Sequence, residues 1–254
     1  MNWSVELLTR VVNMSYDKSF FVNRRTLTLA SADKILEVLW KFTQPKSMLD
    51  IGCATGIWLA EGKRKGATSL FGVDGSWVPR DELEIDASEF CEQDLENISL
   101  DVGEFDLALS IEVAEHLTED SGQKLVEFLT SHSDMVLFSA AVPGQGGRGH
   151  VNERLQSYWY EKFSKLNFEC FDLIRPLIWG DEEVNLIYKQ NMLLYVRKGS
   201  NAYNHLSSHE YQIPKLSVGF DLDRIHPDLL WIRVNDRPLC MMDKLKKTWA
   251  SIIK

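Results

Sequence analysis

At 254 residues the chain is long enough for one full α/β core with appendages and short for two independent cores. Its 44% hydrophobic and 26% charged residues are those of an ordinary globular protein, and no apolar run approaches the roughly 20 residues of a membrane-spanning helix. A formal net charge of −9 argues against long nucleic acid as a partner, because phosphate binding draws on clustered Lys and Arg. The start, Met1-Asn-Trp-Ser-Val-Glu6, lacks the basic and apolar regions of a signal peptide, so a cytoplasmic location without membrane attachment is expected. Cys53, Cys91, Cys170 and Cys240 are widely spaced without a C-x-x-C pair, which predicts free thiols. The run from Asp81 to Asp120 holds many carboxylates and no Lys or Arg. It reads as a solvated acidic face or as a mouth that favours cationic or neutral ligands.

Trp3 to Leu29 mixes apolar and basic positions and reads as one helix or two short ones, an N-terminal helical cap over residues 1–30. Ile35, Leu36, Val38, Leu39 and Phe42 then recur at helical spacing, with Ser31 as a candidate N-cap and Pro45 as the stop. Ser47-Met-Leu-Asp-Ile51 is a short buried strand closed by Gly52. After it come a helix from Ile57 to Lys65, a strand Leu70–Val73 ending at Asp74, a strand around Phe90 and a strand Phe105–Ile111. A helix Ser121–Ser131, a strand Met135–Ala140, a helix Gln156–Leu166 and strands Phe168–Ile174 and Asn191–Val196 complete the series. Strands alternating with helices predict a doubly wound, mostly parallel seven-stranded sheet with helices on both faces, over residues 31–198. Gly199-Ser-Asn marks the expected boundary to a C-terminal extension, 199–254, with a strand Leu230–Val234 and a basic helix ending Lys244-Leu-Lys-Lys. The sequence leaves three roles open for that extension: completing a substrate pocket, pairing with another subunit in a homo-oligomer, or packing on the sheet.

A strand running into a glycine turn and a helix presents backbone N–H groups at the carboxyl edge of the sheet, where doubly wound folds bind ligands. The dinucleotide pattern G-x-G-x-x-G is absent because position 54 is alanine, and the phosphate loop G-x-x-x-x-G-K-[ST] is absent as well. Asp50 at the strand end would repel a pyrophosphate but suits a ligand with an ammonium and a sulfonium, as S-adenosylmethionine has. Asp74 ends the second strand 18 residues after Gly56, about where an acid takes both ribose hydroxyls of an adenosine ligand. Asp94 stands where it could accept from an adenine amino group, with Leu95 covering the ring.

Leu49-Asp-Ile-Gly-Cys-Ala-Thr-Gly56, Gly72-Val-Asp74, Gln93-Asp-Leu95 and Phe105-Asp-Leu-Ala-Leu-Ser-Ile-Glu-Val-Ala-Glu-His-Leu117 resemble the successive motifs of class I S-adenosylmethionine-dependent methyltransferases, a Rossmann-like fold, over about Ser31 to Val196. The resemblance implies that the turn residues Gly52, Cys53, Ala54 and Gly56 hold the methionine portion of the cofactor, with Asp50 as a water-linked contact to its ammonium. It implies Asp74 and Gly75 for the ribose, Gln93, Asp94 and Leu95 for the adenine, and Ser110 and Glu112 as pocket lining. Acceptors in families with these motifs include sugars, quinones, polyketides, peptides and RNA ends.

Methyl transfer is an in-line displacement, so the protein positions the nucleophile and helps remove its proton. His116 after the fourth strand and His150 in the glycine-rich loop Gly144–Asn152 both open onto the cofactor edge, and His150 is the first candidate for general base. Glu112, Glu115 and His116 are spaced i, i+3, i+4; if a helix begins there they share a face and, with His150, form a candidate site for a divalent metal such as Mg. This quartet resembles the metal site of methyltransferases acting on the 2′-hydroxyl of small RNAs. The same pattern occurs in metal-free methyltransferases, with Glu112 lining the cofactor pocket and Glu115 at the helix start. Gly149-His-Val-Asn-Glu153 followed by Tyr158-Trp159 and Phe163 resembles methyltransferases of sugars and secondary metabolites. Trp77, Trp159 and Trp179 are candidate pocket walls. The expected function is methyl transfer from S-adenosylmethionine to a hydroxyl of a small molecule or glycan. RNA-end 2′-O-methylation, N-methylation of an amine and a non-catalytic partner are the alternatives.

Overall fold

The structure, a computed structural model, describes residues 18–208 and 222–230. Residues 1–17 of the expected cap, residues 231–234 of the expected strand Leu230–Val234 and the basic helix ending at Lys247 lie outside the described residues; Leu230 itself sits in a helical turn over 227–230. Helix α1 (Lys18–Trp40) leads into β1 (Ser47–Ile51), α2 (Ile57–Arg64), β2 (Ser69–Asp74), β3 (Phe90–Glu92) and β4 (Leu107–Ile111). Helix α3 (Glu119–His132), β5 (Met135–Ser139), α4 (Gln156–Lys165) and β6 (Phe168–Phe171) follow, then the short helices α5 (Arg175–Ile178) and α6 (Leu186–Asn191), β7 (Leu193–Arg197) and α7 (Asn201–Leu206).

The seven strands form one sheet in the order β3-β2-β1-β4-β5-β7-β6. β7 runs antiparallel to both of its neighbours, while β1, β2, β3, β4 and β5 pair in parallel. The doubly wound, mostly parallel sheet expected from the alternating periods is therefore present. Its two-residue period divides the core into two layers. Met48, Leu107, Leu109, Leu137 and Leu194 face one layer with Ile35, Leu36 and Leu39 of α1 and Leu59 of α2. Leu49, Ala108, Val136, Phe138 and Tyr195 face the other with Leu125 and Leu129 of α3 and Trp159 and Phe163 of α4. Burial on both faces explains why these strands read as continuous apolar runs.

Ser31 does not cap a helix. It lies inside α1, where its hydroxyl donates to the Leu27 carbonyl and accepts from the Asn185 amide, so a second element occupies the group that the cap reading required. α1 thus runs unbroken across the expected boundary at residue 30. One compact unit extends to Arg224 and a second begins at Ile225. Leu222 to Arg224 belong to the first: Arg175, fully buried against Asp172, donates to the Leu222 carbonyl, and Asp223 accepts from the amide and hydroxyl of Ser157 at the start of α4. α4 has no side-chain cap of its own, and Asp223 supplies one from 66 residues away. No helix among the described residues is long and apolar enough to cross a membrane.

Candidate active site

The carboxyl ends of β1, β2 and β4 carry the predicted cofactor residues to one edge. β1 ends in a turn whose Gly52 and Cys53 amides donate to the Val73 carbonyl of β2, and Ala54 bends with φ +50 so that its amide donates to Asp74 Oδ2 at 2.7 Å. Asp74 Oδ1 accepts from the Gly75 amide. Burial raises the Asp74 carboxyl, and the Ala54 and Gly75 amides and the Trp77 indole oppose that rise. The Trp77 ring lies directly on Gly75 and is half exposed, which puts an aromatic face beside the acid predicted to hold a ribose. Asp94 is exposed and caps the turn 95–97, accepting from the Glu96 amide and the Asn97 side chain, while the Gln93 amide donates to the Asp74 carbonyl and Leu95 is buried beneath.

Asp50 lies on β1 next to β2, 1% exposed, and its Oδ2 finds no hydrogen-bond partner among the described residues. Burial first, and Asp74 second, push its carboxyl well above the usual range. A carboxyl so placed is short of a cation, and an ammonium-bearing ligand supplies one. Cys53 is buried, with its thiol raised by burial and by the two acids, so it is a packing residue rather than a nucleophile.

Gly52 is fixed by contact as well as by conformation. At φ +85, a Cβ there would sit 2.2 Å from Val113 Cγ2, and Val113 is β-branched and held at the end of β4. Gly52→Ala should cost about 2–4 kcal/mol, the sum of overpacking and a left-handed residue with a side chain. Thermal unfolding checks this, and a midpoint within a degree of the parent would show that the turn yields.

The loops after β4 and β5 carry the predicted catalytic and metal-ligating residues. The expected helix start at Glu112 does not form: Glu112 adopts φ +56, residues 114–116 make a single 3-10 turn, and α3 begins only at Glu119 behind its cap Thr118. Glu112 therefore leaves the predicted quartet. Its carboxylate accepts from Gln145 Nε2 at 2.7 Å and Asn191 Nδ2 at 3.0 Å, and its amide bonds to Ser139. Burial raises its carboxyl against those donors. Ser110, one turn of strand earlier, is fully buried and its hydroxyl has no partner among the described residues.

Glu115, His116 and His150 do come together. Each offers a ligand atom within 4.8 Å of the others, and the two imidazoles meet edge to face with centroids 4.8 Å apart. Backbone bonds hold the arrangement: the Glu115 carbonyl accepts from the amides of Val151 and Asn152. His150 Nδ1 lies 2.8 Å from Glu153 Oε1. Glu153 also accepts from the amides of Gly144 and Gly146, and although burial opposes it, these three donors hold its carboxyl below the usual range. An ionised carboxylate only accepts, so His150 carries a proton on Nδ1, and in the neutral imidazole Nε2 is the nitrogen with the lone pair. Glu153 was not singled out from the sequence. Its place three residues after His150 was the available signal, but only loop closure brings the glycine amides to it. Of the predicted walls, Trp159 is core, 2% exposed and packed on Phe138, and Trp179 is half-buried.

A family model described as a methyltransferase domain matches residues 23–173, more than half of the chain. The chain belongs to that methyltransferase family. Its sheet is the class I arrangement expected from the sequence. No curated protein matches it. Among solved structures, an O-methyltransferase family protein from Burkholderia thailandensis shares 13% identity, covers 76% of this chain and 63% of that one, and superposes with a TM-score of 0.53. Magnesium protoporphyrin IX methyltransferase from Synechocystis PCC 6803, solved with bound SAM, shares 14% identity over 76% of this chain and 92% of that one, with a TM-score of 0.48. At 13% identity the likeness of this methyltransferase domain to the Burkholderia protein is one of fold.

Proposed function

We propose that the chain moves a methyl group from S-adenosylmethionine to a hydroxyl of a small molecule, a sugar or secondary metabolite being the best fit to the Gly149–Glu153 motif. The observation that carries the cofactor reading is Asp50, a fully buried carboxyl without a cation beside Asp74 at the carboxyl edge of the sheet. When bound, the cofactor would supply a methyl carbon on a sulfonium, a centre at which an O–C bond can form as the C–S bond breaks and leaves its electron pair on sulfur. Asp50 faces the ammonium, Asp74 accepts from the ribose hydroxyls with the lone pairs that its two amide donors leave, and Asp94 and Leu95 border the adenine.

His150 takes the acceptor proton. Glu153 holds Nδ1–H and so presents Nε2 as the base, the role that a carboxylate-oriented histidine plays in other proton transfers. The exposed Val151 and Leu155, one and five residues after His150, offer apolar contact to the body of the acceptor. Titration with S-adenosylhomocysteine tests the cofactor half, and incubation with S-adenosylmethionine and a panel of hydroxylated acceptors, read by mass spectrometry, tests the rest. The expected result is saturable binding and a mass gain of one methyl on an oxygen. Absence of S-adenosylhomocysteine binding sinks the reading; methyl gain on nitrogen would replace the hydroxyl with an amine.

A further inference from the structure

We propose that Gln145 is a positioning residue for methyl transfer, one that pins the glycine-rich loop to Glu112 and thereby fixes the groups that orient His150. Of residues 143–149, four are glycine, and Gly144, Gly146 and Gly149 have positive φ. Glycine loses more backbone freedom on ordering than any other residue, so a loop of this composition keeps one shape only where side chains hold it. Gln145 is the one buried residue of that stretch, 5% exposed between two exposed glycines. Its Nε2 donates to Glu112 Oε2 at 2.7 Å, and its Oε1 accepts from Asn191 Nδ2 at 2.8 Å. Asn191 Nδ2 also donates to Glu112 Oε1 at 3.0 Å, which closes a ring of three side chains from the loop after β4, the loop after β5 and the end of α6. Both Glu112 oxygens accept, so the carboxylate decides which end of each amide faces it.

The link to His150 runs through the two peptide units that flank Gln145. The Gly144 and Gly146 amides donate to Glu153 Oε2 and Oε1, both at 2.8 Å, and the same Oε1 lies 2.8 Å from His150 Nδ1. Anchoring the Gln145 side chain therefore fixes two amides, the amides fix the Glu153 carboxylate, and the carboxylate holds the Nδ1 proton. The loop also sets where the ring lies, since a Cβ on Gly147 would sit 2.1 Å from His150 Nε2. Without the anchor Glu153 loses two of these three donors to solvent exchange, and the imidazole is free to carry its proton on either nitrogen. The molecules with the proton on Nε2 have no base facing the acceptor, and a displacement of about 1 Å in the others can cost about 10²-fold in rate. This role for Gln145 rests on His150 being the general base; the hydrogen bonds do not.

The test is nitrogen NMR of the imidazoles in the full chain labelled with ¹⁵N-histidine, at about pH 8, with the His150 signals assigned by their loss in His150→Ala. The wild type is expected in the Nδ1–H form. Gln145→Met keeps the side chain's length, removes its hydrogen bonds and should move His150 to a mixture of both tautomers. Asn191→Ala, which removes two of the ring's three bonds, should move it the same way and gives the same reading should Gln145→Met fail to fold. His150 kept as Nδ1–H in both variants overturns the role even if their thermal midpoints fall, because a merely structural residue would lower the midpoint alone. A wild type that lacks the Nδ1–H form overturns it together with the base reading, so the two failures are told apart. On an acceptor found by the panel, Gln145→Met should lower kcat about 10–100-fold in the wild-type background and less than about threefold in His150→Ala. Equal losses in the two backgrounds would show that Gln145 does not act through His150 and would overturn the role.

Discussion

His150→Ala should lower kcat by about 10²–10⁴-fold, the usual contribution of a positioned general base, while S-adenosylhomocysteine affinity stays within about threefold. The split follows from position. His150 is on the loop after β5, bonded to Glu153 and packed against His116, whereas the predicted cofactor residues Gly52, Asp74 and Asp94 are at or just beyond the carboxyl ends of β1, β2 and β3. Its ring covers Gly147 and packs in neither core layer, so the thermal midpoint should move little. Added imidazole should restore part of the rate in the alanine variant. Turnover within threefold of wild type would show that neither a base nor a ligand at position 150 is needed.

Asp50→Asn should make the ligand-free chain more stable and the cofactor complex weaker. The folded chain keeps a proton on Asp50 that the unfolded chain releases above about pH 4, because burial raises the folded pKa. Between those two pKa values the folded state binds the extra proton, so stability falls as pH rises. Asparagine has no proton to retain, and the variant should therefore gain on the wild type with rising pH. The gain should be small near pH 4 and about 1–3 kcal/mol at pH 8, with the midpoint rising roughly 2–4 °C per kcal/mol. The same exchange removes the partner of the ligand ammonium and should weaken S-adenosylhomocysteine by about 30-fold or more. Thermal scans against pH and calorimetric titration check both halves. Equal midpoints at every pH, or equal affinities, would mean that Asp50 is neither strained nor facing the ligand.

What could be read in advance was whatever depends on near neighbours in the chain. Ser47–Ile51 was recognisable because a strand buried on both faces must be apolar throughout, which makes Asp50 within it conspicuous. The acids at 74 and 94 followed from the regular spacing of strand ends. Ser31 misled because a serine before an apolar helical face is a good cap by local rules, and only the distant Asn185 amide shows its use inside a longer helix. Glu112 misled for a related reason: its helical spacing to Glu115 and His116 ignored a left-handed backbone, sustained here by Ser139, Gln145 and Asn191 from three other parts of the chain. Asp223 as a cap for α4 carried no local signal at all.

The insertion of β7 between β5 and β6 has a consequence for how the molecule is made. β6 emerges from the ribosome before β7, yet among the described residues β7 is its only neighbour in the sheet, and β5 likewise awaits β7 on that side. From residue 171 until residues 193–197 have been synthesised, a nascent chain carries two bare strand edges rich in Phe, Leu and Val. The edge closes in one event when β7 docks, and until then chaperone capture and aggregation compete for the same backbone groups.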